Sequence, residues 1–173
     1  DNSSPMKTAQ VLLIFFGLPG TGKTTLARKL SGHLGWPHYN TDIIRAETGK
    51  RQQYDTETKA YIYKQLLERT QKALASGTGV VLDGTFYKEE IRAPFVVAAR
   101  AAGVPLKWVE VLAGEDVVRG RVSSPRPYSE ADFRVYQKIK TQFEPLGESA
   151  LKVHSDREDP DTLVERIVNF LAS

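Results

Sequence analysis

The sequence of 173 residues contains no cysteine, and this absence excludes several classes of protein at once. Disulfide scaffolds, thiolate zinc sites, iron–sulfur centres and enzymes with a cysteine nucleophile all require that residue. The absence of cysteine is also compatible with the cytoplasm, which is the location we expect. Lys+Arg residues number 24 against 21 Asp+Glu, so the formal net charge of +3 is too small by itself to indicate nucleic-acid binding.

Long apolar runs are equally scarce. The longest run, residues 11–16, is far shorter than the roughly 18 apolar residues that a membrane-spanning helix needs, so we expect no membrane association. Residues 1–6 end at the only methionine and are interpreted as a leader or cloning remnant. Residues 7–173 are long enough for a single domain with a continuous core. No feature of the sequence indicates an obligate protein partner.

Apolar, strand-like runs alternate with segments of helical periodicity along the chain, which predicts a parallel sheet covered by helices on both faces. We therefore expect a three-layer α/β/α fold with a five-stranded parallel sheet. Pro94 interrupts a predicted helix at residues 89–102, so that helix either begins near Ile91 or bends at the proline. The predicted strands lie near residues 11–16, 37–41, 80–82, 106–112 and 151–155.

The strongest motif follows the first predicted strand. Residues 17–24 match G-x-x-x-x-G-K-[ST] between a buried strand and a helix, which makes an incidental glycine-rich turn the weaker interpretation. Such glycines let backbone N–H groups surround phosphate oxygens, and the helix N-terminus adds partial positive charge. Lys23 is predicted to bind the terminal phosphates and act in catalysis, and Thr24 to bind Mg²⁺. The predicted nucleotide-binding residues of this loop are Gly17, Leu18, Pro19, Gly20, Thr21, Gly22, Lys23, Thr24 and Thr25.

Asp42 and Arg45 follow the second predicted strand, at the sheet edge where open α/β folds bind ligands. Residues three apart share a helix face. Asp42 could accept the proton of an attacking hydroxyl group as a general base, while Arg45 could bind an anionic group on the same acceptor. The alternative is that Asp42 only caps the short helix and that Arg45 pairs with solvent or with Glu47.

Two further groups complete the pattern. Asp83 ends the third predicted strand, where a carboxylate could hold Mg²⁺ through water or simply form an Asp-Gly turn. Arg119, Arg121 and Arg126 cluster beside two prolines, as in the mobile lids that neutralise charge during phosphoryl transfer. A solvated basic loop is the alternative, but we expect at least one of these arginines to reach phosphate.

In combination, the motifs resemble those of small P-loop kinases related to bacterial polynucleotide 5′-hydroxyl kinase and zeta toxin. The resemblance rests on four features. The first two are the glycine-rich loop and Asp42-x-x-Arg45. The others are Val-Leu-Asp83-Gly-Thr with Arg92 downstream and the segment that contains Arg119, Arg121 and Arg126. It implies an adenylate-kinase-like P-loop NTPase fold with a short arginine-bearing lid. It also implies transfer of the γ-phosphate of ATP to an acceptor hydroxyl group with Mg²⁺ as cofactor.

The resemblance also implies roles for single residues. Asp42 corresponds to the general base, and Arg45, together with Arg92, to residues that bind the acceptor. Thr24 and Asp83 are the predicted ligands of the metal ion. In the lid, the resemblance implies that arginines in the region 119–126 clamp ATP. Among them we assign ATP binding to Arg119 and Arg121 and a catalytic role to Arg126.

Departures from the polynucleotide kinase pattern bear on the acceptor. Gly-Thr-Phe at 84–86 replaces the usual Asp-Ala/Thr-Asn, and serine occupies position 123, where lid arginines often recur. With the low net charge, these differences favour a small-molecule or nucleoside-like hydroxyl acceptor over a polynucleotide 5′ end. A polynucleotide 5′-hydroxyl kinase and an acceptor-free nucleotide-binding ATPase or switch protein remain the alternatives. The Asn-Lys-x-Asp motif of guanine-specific GTPases is replaced by Val-His-Ser-Asp at 153–156.

Overall fold

The computed structural model describes residues 9–50, 53–122, 130–147 and 149–173, so the predicted leader at 1–6 and Arg126 lie outside the described residues. The strands of the sheet are β1 (Leu12–Phe16), β2 (His38–Asn40), β3 (Val80–Asp83), β4 (Leu106–Leu112) and β5 (Leu151–His154). The helices are α1 (Lys23–Leu34), α2 (Thr41–Glu47), α3 (Thr56–Ala75), α4 (Glu89–Ala102), α5 (Glu115–Val122), α6 (Glu130–Gln142) and α7 (Pro160–Leu171).

The five strands form one parallel sheet in the order β2-β3-β1-β4-β5. This result confirms the predicted three-layer α/β/α fold with a five-stranded parallel sheet. Because all strands run in the same direction, their carboxyl ends meet at one edge, and the segments after β1, β2 and β3 begin side by side. None of the helices in the described ranges combines the length and hydropathy needed to span a membrane.

The central strand β1 is fully buried along its whole length and joins two hydrophobic clusters. Successive side chains of a strand point to opposite faces of the sheet. One set of alternate residues, Leu12, Ile14 and Phe16, accordingly packs in the cluster that includes residues of α3 and α4. Leu13 and Phe15 pack in the other cluster, with residues of α1 and α7. Each of these large side chains contributes about 1.5–3 kcal/mol by burial, so the loop that follows β1 begins from a firmly held strand.

A third, smaller cluster lies beside that loop. Val118 of α5 packs with Phe133 and Tyr136 of α6, and Leu18 of the loop contacts this cluster. The rings of Phe133 and Tyr136 stack with their centroids 5.4 Å apart. The α5–α6 pair is therefore held next to the segment that connects β1 to α1.

Helix α4 begins at Glu89 and contains Pro94 in its interior, so the first of the two alternatives, a helix that begins near Ile91, is wrong. A proline has no N–H to donate to the carbonyl of the residue four positions earlier, which here is Glu90. Both Glu90 and Pro94 are exposed, so water can hydrate that carbonyl in place of the missing hydrogen bond.

Arg92 of α4 does not reach the cleft described below, which corrects its predicted role as an acceptor-binding residue. Its side chain is only 1% exposed. Its Nε donates to the carbonyl of Phe86 at 2.7 Å and its Nη2 to that of Glu144 at 2.5 Å. The guanidinium also lies over the rings of Phe16 and Phe143. Arg92 therefore joins α4 to the segments after β3 and α6.

Replacing Arg92 by methionine is expected to lower the free energy of unfolding by about 3 kcal/mol, because two carbonyl groups lose a charged donor. Urea unfolding measures this change. Arg100→Met, at an exposed position of the same helix, is the matched control and should change stability by less than about 0.5 kcal/mol. Equal stabilities of the two variants would contradict the structural role of Arg92.

Candidate active site

The glycine-rich loop connects β1 to α1 at the carboxyl edge of the sheet, and two of its glycines are required by geometry. Gly17 has φ +142°, and a Cβ atom there would lie 2.6 Å from the carbonyl oxygen of Val111 in β4. Gly22 has φ +97° and immediately precedes α1. Side chains with a Cβ rarely adopt these conformations, so the glycines allow the chain to pass directly from the strand into the helix.

Lys23 is the first residue of α1, and its ammonium group is enclosed by the loop. Its Nζ donates to the carbonyl of Leu18 at 2.8 Å, and the residue is only 8% exposed. Burial lowers the pKa of Lys23 from 10.5 to about 8, while the nearby charges of Asp83 and Asp42 act in the opposite direction. In the described part of the chain, no carboxylate forms an ion pair with Lys23. A buried cation without a counterion at a helix N-terminus is suited to binding an anion.

The carboxylate of Asp83 is held by three side chains from two elements, Thr24 of α1 and both His38 and Asn40 of β2. Its Oδ1 accepts a hydrogen bond from the Thr24 hydroxyl at 3.0 Å. Its Oδ2 lies 2.5 Å from Nε2 of His38 and accepts a longer bond, 3.4 Å, from Nδ2 of Asn40. Because Asp83 is only 3% exposed and fully engaged, its role is more than that of a turn-forming residue.

The Thr24 hydroxyl and the Asp83 carboxylate fit a magnesium ion. They are adjacent oxygen donors, the ligand type that Mg²⁺ prefers, and both lie at the edge of the phosphate-binding loop. Within the described ranges, no group of three or more His, Cys, Asp or Glu residues could hold a metal ion. The remaining ligands of an ion at this position would therefore be phosphate oxygens and water, as is common for Mg²⁺.

Asn40 links Asp83 to helix α2, a connection that sequence reasoning missed. Its Oδ1 accepts a hydrogen bond from the backbone N–H of Ile43 at 2.7 Å, so Asn40 is the N-cap of α2. The alternative in which Asp42 caps this helix is therefore wrong. His38 was also missed, because its role depends on β2 lying next to β3 and not on any spacing in the sequence.

Loss of the Asn40 cap should be measurable as loss of stability. Asn40→Ala is expected to lower the free energy of unfolding by about 1 kcal/mol, because the first turn of α2 loses a side-chain acceptor. Asn40→Ser retains a capping oxygen and should recover most of that loss. Urea unfolding of the two variants provides the comparison, and equal destabilisation by alanine and serine would show that the cap is not what Asn40 contributes.

Asp42 and Arg45 form an ion pair on α2, as their spacing predicts. Nη1 of Arg45 lies 3.5 Å from Oδ1 of Asp42, and the Arg45 guanidinium lies over the ring of Tyr54 at 4.7 Å. The Asp42 side chain is 77% exposed and the Arg45 side chain only 8%. Glu47 pairs instead with Arg69, so the alternative pairing of Arg45 with Glu47 is wrong.

Part of the glycine-rich loop, Asp83 and the Asp42–Arg45 pair line one cleft of about 190 Å³ at the carboxyl edge of the sheet. The predicted site residues that line it are Pro19, Gly20, Gly22, Lys23, Thr24, Thr25, Asp42, Arg45 and Asp83. Lining residues that were not predicted include Lys59, Tyr63, Thr85, Val135 and Ile139. The last two belong to α6, so this helix forms one wall of the cleft.

The described lid arginines differ in their contacts. Nη1 of Arg121 donates to the carbonyl of Gly20 at 2.9 Å, which places its guanidinium at the glycine-rich loop. The guanidinium of Arg119 lies 4.1 Å from the centroid of the Phe133 ring on α6. After β5, the Ser155 hydroxyl donates to the carbonyl of Thr21 at 2.5 Å, so a further loop contacts the same segment. The expected ATP contacts of both arginines stay predictions.

Comparison with known families adds to this geometry. Residues 12–146 match the profile AAA_33, which is described as an AAA domain. The matched range includes the glycine-rich loop and every described side chain that lines the cleft.

Individual proteins similar to the chain include kinases of small molecules. Shikimate kinase of Mycobacterium tuberculosis is 28% identical over 165 residues, which cover 91% of this chain and 92% of the relative. A sugar kinase from Janibacter sp. HTCC2649 has a TM-score of 0.73 at 18% identity, with 95% of each chain covered. The APS kinase of Mycobacterium tuberculosis in complex with AMPPNP and APS has a TM-score of 0.74 at 15% identity, covering 96% of this chain and 100% of the other.

Proposed function

This chain belongs to the AAA_33 family of P-loop kinases, and from that membership we propose that it transfers the γ-phosphate of ATP to a hydroxyl group of a small-molecule or nucleoside-like acceptor. The observation that supports this function best is that the glycine-rich loop and the Asp42–Arg45 ion pair line the same cleft. A nucleotide switch has no acceptor hydroxyl group and needs no carboxylate to take its proton, whereas a kinase uses such a carboxylate.

On the donor side, the loop backbone and the Lys23 ammonium bind the phosphates of ATP. Lys23 exchanges its bond to the Leu18 carbonyl for phosphate oxygens and stabilises the charge that develops on them. Thr24 and Asp83 would hold Mg²⁺, and the ion would neutralise part of the phosphate charge. Arg121 approaches from α5, adjacent to the loop, and adds a second cation.

On the acceptor side, Asp42 accepts the proton of the attacking hydroxyl group. The acceptor oxygen forms a bond to the γ-phosphorus as the bond from that phosphorus to the bridging oxygen breaks, and ADP leaves. The high exposure of Asp42 leaves its carboxylate accessible to an incoming acceptor. Arg45 keeps the carboxylate in place and presents its guanidinium to an anionic group of the acceptor.

The size of the cleft bears on the choice of acceptor. A volume of about 190 Å³ is small for a ligand pocket, so the cleft has room only for the terminal phosphate of the donor and the reacting end of an acceptor. The shikimate kinase and sugar kinases to which the chain is similar act, by their names, on small molecules, which favours the same class here. The narrower likeness to polynucleotide kinase and zeta toxin, and the cytoplasmic location, stay predictions.

Transfer of label from γ-labelled ATP tests the proposed function. The acceptors are shikimate, gluconate, neutral sugars, nucleosides and an oligonucleotide with a 5′-hydroxyl end, with one reaction lacking any acceptor. We expect label on at least one small molecule. Label on the oligonucleotide alone would identify a polynucleotide kinase, and label released only as free phosphate in every reaction would contradict the kinase and support an ATPase.

The pKa of Lys23 predicts how nucleotide affinity depends on pH. Because bound phosphates keep Lys23 protonated, binding takes up a proton wherever the free side chain is neutral. The association constant for ADP should change little between about pH 7, where the phosphates of ADP are fully ionised, and pH 8. It should fall above pH 8, since the pKa of Lys23 in the free protein is about 8. The slope above that pH should approach about tenfold per unit. Calorimetric titration on both sides of this pH, in buffers of different ionisation enthalpy, measures affinity and proton uptake. A constant affinity would contradict the prediction.

A further inference from the structure

A second cavity, of about 460 Å³, lies between α3 and α4 beside the catalytic cleft. Lys59 and Tyr63 of α3 line both spaces, so the cavity and the cleft adjoin at these two residues. Tyr87 and Lys88, which precede α4, form the opposite wall. This cavity is larger than the cleft itself, and neither the sequence motifs nor the proposed chemistry assigns it a role.

The cavity combines an apolar interior with a cationic rim. Leu67 of α3 together with Ile91 and Phe95 of α4 line it with hydrocarbon surface. The ring of Tyr87, only 6% exposed, adds an aromatic surface. The cations are three lysines: Lys59, Lys64 and Lys88. An apolar space bordered by cations is complementary to a molecule that has an apolar body and an anionic group.

Two of the three lysines, Lys59 and Lys88, contact Tyr87. Nζ of Lys59 donates to the Tyr87 hydroxyl at 3.1 Å and lies 4.9 Å from the ring centroid, while Nζ of Lys88 lies 5.6 Å from the same centroid. Among the residues that the structure describes, no carboxylate forms an ion pair with Lys59, Lys64 or Lys88. Glu90 lines the cavity but lies beyond ion-pairing distance of all three. None of the three lysines is therefore held in an ion pair within the described part of the chain.

We infer that the cavity between α3 and α4 binds the distal part of the phosphoryl acceptor, and that this part is an apolar or aromatic group with a carboxylate, sulfate or phosphate substituent. This inference rests on the proposed function and makes it more specific. The acceptor hydroxyl lies near Asp42 in the small cleft, the body of the molecule passes Lys59 and Tyr63, and its anionic group reaches Lys64 and Lys88. The enzyme then selects acceptors by contacts remote from the transferred phosphate.

Binding of a fluorescent aromatic anion tests the cavity directly. Anilinonaphthalene sulfonate is titrated into the wild-type protein and into the double variant Lys64→Gln with Lys88→Gln. The double variant should raise the Kd about tenfold, because two charge-assisted contacts are lost. Lys72→Gln, at an exposed position of α3 outside the cavity, is the control and should leave the Kd unchanged. Equal Kd values for wild type and double variant would overturn the inference.

Phosphoryl transfer to a matched pair of alcohols tests the link to the acceptor. Benzyl alcohol and para-(hydroxymethyl)benzoate differ only in the carboxylate, and ADP release gives kcat/KM for each. Wild type should prefer the carboxylated alcohol by about tenfold, and the double variant should lose that preference while binding ADP normally. If wild type phosphorylates both alcohols equally well, the proposed function stands and the inference fails.

Two other results distinguish the proposed kinase function from the assignment of the cavity to the acceptor. If wild type phosphorylates no acceptor of any kind, while the sulfonate titration still depends on Lys64 and Lys88, the proposed function fails and the assignment of the cavity to an acceptor fails with it. If the double variant changes the sedimentation behaviour of the protein, the cavity is an interface between two copies of the chain, which also overturns the inference.

Discussion

Replacing Lys23 by methionine is expected to lower kcat for phosphoryl transfer at least about a hundredfold, which corresponds to several kcal/mol of transition-state stabilisation. The ammonium group is the buried cation of the glycine-rich loop and lies next to where the terminal phosphates bind. Methionine matches the length of the aliphatic stem, so the substitution removes the charge and leaves little empty space. Steady-state kinetics with the best acceptor from the labelling experiment measures the effect.

The same substitution should stabilise the protein when no nucleotide is bound. Burial lowers the pKa of Lys23 from 10.5 to about 8, and a shift of that size corresponds to about 3 kcal/mol at neutral pH. The pKa of Lys23 is lower in the folded protein than in the unfolded chain, so burial of its charge destabilises the folded protein below pH 8. This destabilisation disappears as the pH rises to 10.5. We therefore expect the methionine variant to be about 1–3 kcal/mol more stable than wild type at pH 7, since loss of the hydrogen bond to Leu18 offsets part of the gain.

A lysine-to-methionine variant elsewhere on α1 shows whether the predicted changes in kcat and stability are specific to Lys23. Lys29 is exposed on α1 and distant from the loop, so Lys29→Met should change neither kcat nor stability appreciably. Urea unfolding with and without ADP should show that wild type is stabilised by the nucleotide and that the Lys23 variant is not. Near-normal turnover in the Lys23 variant would contradict the assignment of the phosphate-binding site.

Replacing Asp42 by asparagine is expected to lower kcat by about a hundredfold to ten-thousandfold, the range for loss of a positioned general base. Asparagine keeps the shape of the side chain and can still accept a hydrogen bond from Arg45, but it cannot take the proton of the acceptor. Because Asp42 lies on the acceptor side, the affinity for ADP should remain close to that of wild type. Acceptor-dependent ADP release and calorimetric ADP titration together measure both properties.

The control for this variant is Glu47→Gln, an exposed carboxylate of the same helix that pairs with Arg69 outside the cleft. It should retain turnover, because it removes one surface charge and leaves the Asp42–Arg45 pair intact. If Asp42→Asn and Glu47→Gln have the same kcat, Asp42 is not the base. The hydrolysis of ATP without acceptor should be similar in all three proteins.

Most of the fold and the donor side of the site could be predicted from the sequence. Nearly all the residues that define the phosphate-binding loop lie within the eight consecutive positions 17–24, because the strand, turn and helix that it requires are contiguous. The Asp42–Arg45 pair is similarly local, since helical spacing alone brings the two side chains together. Such features depend on backbone geometry over a few residues, and the sequence specifies that geometry directly.

Residues whose role depends on tertiary packing could not be predicted in the same way. His38 contacts Asp83 only because β2 pairs with β3, although the two residues are 45 positions apart. Arg92 lies on an amphipathic helix, and its burial between Phe16 and Phe143 requires the placement of three separate segments. Helical spacing places Lys59 and Tyr63 on one face of α3, but only the packed structure shows that this face lines the cleft.

The most direct test of the account is a crystal structure with a non-hydrolysable ATP analogue and Mg²⁺. We expect the triphosphate to lie along residues 17–25, with the Lys23 ammonium in contact with its terminal phosphates. The metal ion should lie beside the Thr24 hydroxyl and the Asp83 carboxylate, and the terminal phosphate should face Asp42 across the cleft. A triphosphate bound anywhere else on the protein, or a terminal phosphate directed away from Asp42, would contradict the account.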